Sequence, residues 1–436
     1  MENQQTAAVA DRHRLSFGEV REPVRNLARL MLDHLLKDYR GKAKVRLWDG
    51  TDITPESGDA AVLVFLDPAP IRELFVYGDL VRLAEAYLTG HLEVEGDMIA
   101  VYELVDYLLA RRLTWRDKLG FGLKALRMPR RPVVDAARTV GADDKARANS
   151  QSSIAYHYDV SNEFYRLWLD QNMVYSCAYF KENDHCLDRA QENKIDHICR
   201  KLRLASGQTL LDIGCGWGAL AIWAAQNYDV QVKGITLSKQ QHAYANERIE
   251  RLGLKSRVSI ELQDYRELSE TVRYDRVVSV GMFEHVGIAQ FPVYFGKIKR
   301  VLKPGGVFLN HGITNDNGWD ETPTTQFCNR YVFPDGELTR ISHVQQAMED
   351  AGFEVLDVEA LRRHYAMTLQ HWIRNLEQRK KDAVQLTSEM TYRIWRLYMA
   401  GAAHFFAEGS LGLYQILAGH RYENAPIPLT RADIYS

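Results

Sequence analysis

At 436 residues the chain is too long for one ordinary hydrophobic core, so two domains are expected. An apolar content of 46% and a charged content of 26% are those of a soluble globular protein, and a formal net charge of -2 argues against a dedicated nucleic-acid binder. No run approaches about 18 uncharged apolar residues, so no helix is expected to span a bilayer.

The start, Met1-Glu-Asn-Gln-Gln5, is polar and lacks the apolar core of a signal peptide. The five cysteines (177, 186, 199, 215 and 328) are odd in number and not in CxxC spacing. Reduced thiols in a cytoplasmic protein fit that pattern better than disulfides or zinc. Residues 1–21 read as a flexible polar tail, and 22–110 as a small α+β domain. Residues 22–39 have helical periodicity, with Pro23 where a first turn tolerates it. Residues 45–48 read as a strand entering an Asp49-Gly50 turn, 60–66 as a second strand, and 71–77, 80–88 and 98–109 as helices.

Residues 111–150 read as a linker with a basic beginning. Between 111 and 131 there are eight Lys/Arg residues and one acid, Asp117. Trp115, Leu119 and Leu126 fall at i, i+4 and i+11, on one helix face. Two readings stand side by side: a segment that meets an anionic membrane surface, and a solvated linker helix whose apolar side packs on its own domain.

From 151 onward strand and helix alternate. Strands are expected at 209–213, 230–235, 258–262, 276–280 and 307–313, with a late pair near 353–361, and the chain turns helical again after 366, ending with a long pattern over 390–417. The alternation implies a doubly wound parallel sheet. Residues 210–218, Leu-Leu-Asp-Ile-Gly-Cys-Gly-Trp-Gly, run from a buried strand into a glycine turn and a helix start, the place where such sheets bind ligands. The spacing is G-x-G-x-G rather than G-x-G-x-x-G. The second strand ends in Thr236-Leu237-Ser238, with no acid for a dinucleotide ribose. Both features favour S-adenosylmethionine, an adenosine with an amino-acid tail and no pyrophosphate, over a dinucleotide; the plain alternative is a tight turn in another α/β protein. The other strand ends carry Gln263, Asp264 and Tyr265, then 281–284, then 311–313. Gln263 and Asp264 can hydrogen-bond adenine, and Thr236 and Ser238 can reach ribose hydroxyls. The aromatic-rich stretches 156–159 and 175–180 could form a lid whose rings attract a sulfonium cation. Simple packing of the helical layer is the expectation for most of those tyrosines.

Several segments resemble the cyclopropane-fatty-acyl-phospholipid synthases. They are Tyr-His-Tyr-Asp-Val-Ser at 156–161, Met-Val-Tyr-Ser-Cys-Ala-Tyr-Phe at 173–180, the glycine turn, Gln-Asp-Tyr-Arg at 263–266, Val-Gly-Met-Phe-Glu-His-Val-Gly at 280–287, Tyr-Val-Phe-Pro at 331–334 and His-Tyr-Ala-Met-Thr-Leu at 364–369. Leu-Ala-Glu-Ala-Tyr-Leu-Thr-Gly at 83–90 more loosely resembles the N-terminal lipid-binding domain of the phospholipid-acting members. The resemblance implies an α/β fold, with a Rossmann-like class I methyltransferase sheet and added helices over 151–425. It implies a cofactor site for S-adenosylmethionine at Tyr158, Tyr175, Ser176, Asp212, Gly214, Gly216, Thr236, Leu237, Ser238, Gln241, Gln263, Asp264 and Tyr265.

It also implies a bicarbonate ion as base, held by Cys177, Glu284, His311, the Ile313 backbone and Tyr365. Glu284 would accept the bicarbonate O–H while His311 and Tyr365 donate. Taken singly, each of these residues has an ordinary structural reading; their joint presence favours the site. One position departs from the family: a cysteine found in the penultimate helix of many members is Ala402 here, so no covalent cysteine intermediate can form there. The implied substrate is the cis alkene of a phospholipid acyl chain at the inner face of a membrane, and a dimer is the expectation by analogy. Rival readings are a methyltransferase that makes a methylene- or methyl-branched chain, a small-amine N-methyltransferase, and a lipid-binding protein with an inactive methyltransferase fold.

Overall fold

A computed structural model of the chain describes residues 22–54, 58–111, 113–131, 160–182, 186–318, 320–333, 336–425 and 427–435. The chain divides into two units, 1–136 and 137–436.

In the first unit, α1 (Glu22–Leu36) buries Ala28, Met31, Leu32 and Leu35, the i, i+3, i+4, i+7 stripe of an amphipathic helix. Strands β1 (Ala43–Arg46) and β2 (Ala61–Phe65) pair in parallel, and β3 (Leu92–Gly96) pairs antiparallel with β2. The third strand is an addition to the sequence reading: in Leu-Glu-Val-Glu-Gly only two residues point inward, too short a period to register. Helices α2 (Ala69–Tyr77), α3 (Leu80–Leu88) and α4 (Met98–Ala110) follow the expected pattern. Asp79 and Asp97 cap α3 and α4 by accepting from the N–H groups of Val81 and Ile99.

The beginning of the supposed linker is part of this unit. Helix α5 (Trp115–Ala125) starts at a Thr114/Asp117 capping box. Phe121 packs on Phe75 and His34, with ring centroids 5.5 and 5.0 Å away, and Ala125 and Met128 are also buried. Arg131 pairs with Glu73 at 3.1 Å, and Arg111 with Asp38 at 2.9 Å. The face that packs is thus that of Phe121 and Ala125, not the Trp115, Leu119 and Leu126 side named in the packing reading. The opposite face leaves Trp115 70%, Leu119 58%, Leu123 59% and Leu126 53% exposed. Residues 132–150 of the expected linker lie outside the described residues.

The second unit is built on a seven-stranded sheet in the order β6-β5-β4-β7-β8-β10-β9. Its main elements are α6 (Leu187–Lys201), β4 (Thr209–Ile213), α7 (Ala219–Tyr228), β5 (Gln231–Thr236), α8 (Lys239–Arg251), β6 (Val258–Leu262), β7 (Tyr274–Val280), α9 (Phe291–Val301), β8 (Leu302–Asn315), α10 (Ile341–Asp350), β9 (Phe353–Ala360), α11 (Arg362–Gln378), α12 (Glu389–Glu408) and β10 (Leu411–His420), with shorter helices at Asn162–Arg166, Pro323–Tyr331, Lys380–Leu386 and Ala432–Tyr435. Strands β4 to β8 pair in parallel, while β10 runs antiparallel to both its neighbours. One core holds Leu210, Val232 and Val278 against α6, α7 and α8. The other holds Leu211, Val277 and Phe308 against α9 and α10. Successive residues of a strand feed opposite faces, so helices cover both sides.

The long C-terminal helical pattern is corrected by the structure. Helix α12 stops at Glu408, Gly409 turns left-handed with φ 114°, and 411–420 form β10 between β8 and β9. An apolar run covered on both faces looks the same locally whether it is a buried strand or the end of a buried helix. Gly409 donates its N–H to the Phe405 carbonyl, and a Cβ there would meet nothing nearer than 3.7 Å. Gly409→Ala should therefore destabilise through backbone strain alone, by about 1–2 kcal/mol. The urea unfolding midpoint measures this, and an unchanged midpoint would show that the turn tolerates a side chain.

Candidate active site

The site starts at the turn after β4, where the strand order reverses and a crevice opens beyond the carboxyl ends of the strands. Gly214 and Gly216 have φ of +78° and +55°, which suits glycine. The N–H groups of Gly214 and Cys215 both donate to the Ile235 carbonyl at 3.0 Å, anchoring the turn to β5. A Cβ at Gly214 would come within 2.9 Å of Met282, whereas one at Gly216 would meet nothing. The turn is thus tight against the next loop on one side and open on the other.

The cleft is an open pocket beside the glycine turn. Tyr175, Ser176, Asp212, Gly214, Gly216, Thr236, Leu237, Gln241, Gln263 and Tyr265 line it, as the sequence leads one to expect. Ser238 and Asp264 stand behind this lining. The Ser238 hydroxyl accepts from the Gln241 N–H and caps α8. Burial works to raise the Asp264 carboxyl, but the Arg266 guanidinium, which donates to both its oxygens at 3.0 and 2.6 Å, holds it below the usual range. Tyr158 lies outside the described residues.

The polar groups of the cleft are unevenly satisfied. Thr236 Oγ1 donates to Gln241 Oε1 at 2.8 Å. Asp212 Oδ2 and Gln263 Oε1 are buried acceptors without a hydrogen-bond partner. Opposite them stands Lys194, which the sequence reading missed. It projects from α6, is buried, and donates from Nζ to Ser176 Oγ at 2.8 Å. Burial pushes Asp212 up to about 7 and Lys194 down to about 8, and the attraction between them opposes both shifts. A signal was present: Leu187, Gln191, Lys194, Ile198 and Lys201 fall on one helical stripe and all are buried, so two lysines occupy apolar-stripe positions. Acceptors without donors beside a buried cation suit a zwitterionic amino-acid tail and an adenosine.

A second group adjoins the cleft. Ser176 and Met282 line the cleft, and their neighbours in sequence are Cys177 and the Phe283-Glu284 turn. Glu284 is buried, its Oε1 accepts from the Ile313 N–H at 2.8 Å, and its Oε2 has no partner. Burial pushes the Glu284 carboxyl up to about 7. The Ile313 backbone, expected to face an anion itself, thus spends its N–H on Glu284. His311 lies on β8, directly paired with Val280 of β7, and its Nε2 is buried without a partner. Burial and the nearby Lys194 and Lys201 hold its pKa well below the ordinary value, so the ring is neutral. The Cys177 sulfur lies 3.1 Å from the Ala178 carbonyl oxygen and 3.9 Å from that of Leu361, either of which can accept its one proton, and burial raises its pKa far above the usual thiol range. Leu361 also accepts from the Tyr365 N–H, which places Cys177 at the head of α11 beside Tyr365. The Tyr365 ring packs on Phe406 at 4.6 Å.

The aromatic residues divide as a packing argument predicts. Tyr175 reaches the cleft while its ring rests on Trp372 at 5.3 Å and Trp168 at 5.5 Å. Tyr179 instead stacks between His197 and His364, at 4.3 and 4.7 Å, and is no part of the cleft lining. Pro334 of the Tyr331-Val-Phe-Pro motif lies outside the described residues.

Comparison with known proteins agrees with this geometry. A family model described as mycolic acid cyclopropane synthetase matches residues 145–416, within the second unit. The chain is 43% identical over 398 residues to a Pseudomonas putida protein named as a probable fatty acid methyltransferase, a match covering 90% of this chain and 96% of that one. It is 39% identical over 268 residues to the cyclopropane-fatty-acyl-phospholipid synthase of Escherichia coli, covering 62% of this chain and 68% of that one. Among solved structures, the cyclopropane synthase MmaA2 of Mycobacterium tuberculosis aligns with a TM-score of 0.59 at 35% identity, covering 62% of this chain and 97% of its own. CmaA1 complexed with S-adenosylhomocysteine and a long-chain detergent, CTAB, aligns with the same score, identity and coverage. With half of the chain and more inside the family model and the cofactor cleft assembled where a class I sheet holds it, the protein belongs to the mycolic acid cyclopropane synthetase family and is an S-adenosylmethionine-dependent methyltransferase.

Proposed function

We propose that this methyltransferase adds a one-carbon unit to the cis double bond of an unsaturated phospholipid acyl chain and closes it to a cyclopropane, with bicarbonate as the base. One observation carries the reading: beside the cofactor cleft, a buried acceptor (Glu284 Oε2) and a buried ring nitrogen (His311 Nε2) both lack partners. A small anion with one O–H and two accepting oxygens has the chemistry for both, because it can donate to the carboxylate and accept from the ring. Glu284, His311, Cys177 and Tyr365 would hold it. Bicarbonate would supply a base without a titratable side chain having to leave its hydrogen bonds.

The reaction balances without further reagents. The alkene π pair attacks the sulfonium methyl, the C–S bond breaks toward sulfur, and S-adenosylhomocysteine leaves. A carbocation remains on the adjacent carbon. A proton then passes from the new methyl to the bicarbonate base, and the C–H electron pair left behind closes the ring. Asp212 would accept from the cofactor ammonium, Lys194 and Ser176 would hold its carboxylate, and Gln263 would accept from the adenine amine. The buried, protonated Cys177 is a hydrogen-bond donor rather than a nucleophile, and Ala402 offers no thiol in α12. A dry site protects the cation from capture by water.

A second reading has its own support. The relative matched along 90% of this chain is named for fatty acid methylation, not for cyclopropane formation. The same cation, losing a different proton, leaves a methylene- or methyl-branched precursor. Mass spectrometry of the full-length protein incubated with S-adenosylmethionine and unsaturated phospholipid vesicles separates the two. A gain of one CH2 with the alkene consumed and a ring shown by fragmentation is the expected result. The same gain with an alkene retained would replace it by the branched product, and no gain would remove lipid as substrate.

The Glu284 assignment makes a second prediction. Glu284→Gln should lower turnover by about 10²-fold or more while cofactor affinity changes little; equal losses in both would count against an anion-holding role. The same variant reports on stability. Because the folded carboxyl is raised to about 7 from 4.5, its favourable contribution is present below about pH 4.5 and is lost as pH rises through about 7. Glu284→Gln should therefore gain stability relative to the wild type between pH 5 and 8, by on the order of 3 kcal/mol. Parallel denaturation curves across that range would refute the raised pKa.

A phospholipid substrate calls for a peripheral protein at the cytoplasmic membrane face, and α5 offers a surface for it. Trp115, Leu119, Leu123 and Leu126 form an exposed apolar stripe, with Arg116, Lys118 and Arg127 exposed around it. A Trp/Leu stripe edged by cations suits the headgroup region of an anionic bilayer. At about 1 kcal/mol per basic residue, reversing Lys118 and Arg127 to Glu together should weaken binding to phosphatidylglycerol vesicles by roughly 30-fold or more without altering the melting temperature. Unchanged vesicle binding would leave α5 as an ordinary surface helix.

A further inference from the structure

Among the groups the reaction does not touch, Gln415 stands out by its place in the sheet. It lies on β10 directly opposite His311 of β8, so the two side chains share one face. Both are fully buried, and Gln415 Nε2 approaches His311 Nδ1 at 3.1 Å. In this orientation of the amide, Nε2 donates and Nδ1 accepts, while Gln415 Oε1 is a buried acceptor without a partner. The single proton of the neutral ring is then on Nε2, the buried nitrogen without a partner.

The neighbours of this pair leave the amide to His311. Across the other edge of β10, Glu359 stands opposite Gln415, but its carboxylate is engaged by His197 at 2.7 Å and Lys201 at 2.5 Å, both from α6. Which ring nitrogen carries the proton decides what the site offers an anion. An Nε2–H presents a donor; the other tautomer would turn a lone pair toward a negative oxygen, and the two would repel.

We propose that Gln415 is a positioning residue that fixes His311 as the Nε2–H tautomer, so that the ring presents a hydrogen-bond donor to the anionic base. The identity of that anion rests on the function proposed above; the tautomer itself does not. Gln415 touches neither substrate nor cofactor in this account and acts through His311 alone. Loss of the orienting partner of a metal-bound histidine costs about 10–100-fold, and a loss of that order is expected here.

The test is long-range 1H–15N correlation on the full-length protein labelled with 15N-histidine, with the His311 signals identified by their loss in His311→Gln. In the wild type, a protonated Nε2 and an unprotonated Nδ1 are expected, with no substrate needed; the reverse pattern would overturn the proposal at once. Gln415→Glu replaces the donor by an acceptor and should move the proton to Nδ1. Gln415→Met removes the donor at similar volume and should leave a mixture of tautomers. Both should lower kcat by about 10–100-fold while the Kd for S-adenosylmethionine stays within threefold. A folded Gln415→Met enzyme with His311 still wholly Nε2–H would overturn the proposal even if activity fell. Turnover that ignores bicarbonate removal would overturn the anion assigned above, and the tautomer measurement would still decide the role of Gln415.

Discussion

Burial of ionisable groups without full compensation is the constraint on which the second unit depends. Asp212, Lys194, Glu284 and His311 are all removed from water, and in each the largest influence on the proton is loss of hydration. Such groups cost stability unless a partner meets them. Here Asp212 Oδ2, Glu284 Oε2 and His311 Nε2 have none. These unmet polar atoms gather at the carboxyl ends of β4, β7 and β8. A binding site that is incomplete when empty is also one in which bound groups add directly to stability.

The sheet and one helix together set up this arrangement. Helix α6 presents Lys194, His197 and Lys201 along one stripe, spaced so that Lys194 reaches Ser176 at the cleft while the other two reach Glu359 on β9. Inserting β10 antiparallel between β8 and β9 brings Gln415 into register with His311 on one side and Glu359 on the other. The two ends of that row differ in chemistry. Glu359 is fully paired, which lowers its carboxyl to about 2 despite burial, and it serves architecture. His311 is left with a buried ring nitrogen that has no partner. Further along β9, Asp357 is bound by Arg431, which ties the C-terminal segment to the same sheet edge.

The first unit uses its charges differently. Arg111 and Arg131 are spent on ion pairs that fasten the two ends of the α5 region to the unit. Arg116, Lys118 and Arg127 between them remain exposed around an apolar stripe. A helix that packs one face through Phe121 and Ala125 and exposes Trp115 and three leucines on the other has two apolar faces, more than its own unit can cover. Contiguous exposed apolar surface of that kind usually has a partner.

Much of this protein is written in local pattern. The glycine turn at 214–218 and the alternation of apolar strands with amphipathic helices are decided by neighbours within a few positions, so the class of fold and ten of the residues that line the cleft were legible in the chain by itself. What tertiary structure decided involves contacts between distant segments. Residues 411–417 become strand because β8 and β9 leave a gap with hydrogen-bonding edges on both sides, which no local window contains. The 115–125 segment joins the first unit because Phe121 finds Phe75 and His34. Lys194 becomes part of the cleft because α6 packs over β4. Ile313 turns its N–H to Glu284, and Gln415 meets His311 across 104 residues of sequence. The sequence by itself determined which elements form and which ligand chemistry they can support, because propensity and periodicity act over one or two turns. Only the folded sheet decided which polar atoms are paired and which are left for a ligand, because strand register sets that and register depends on the whole core.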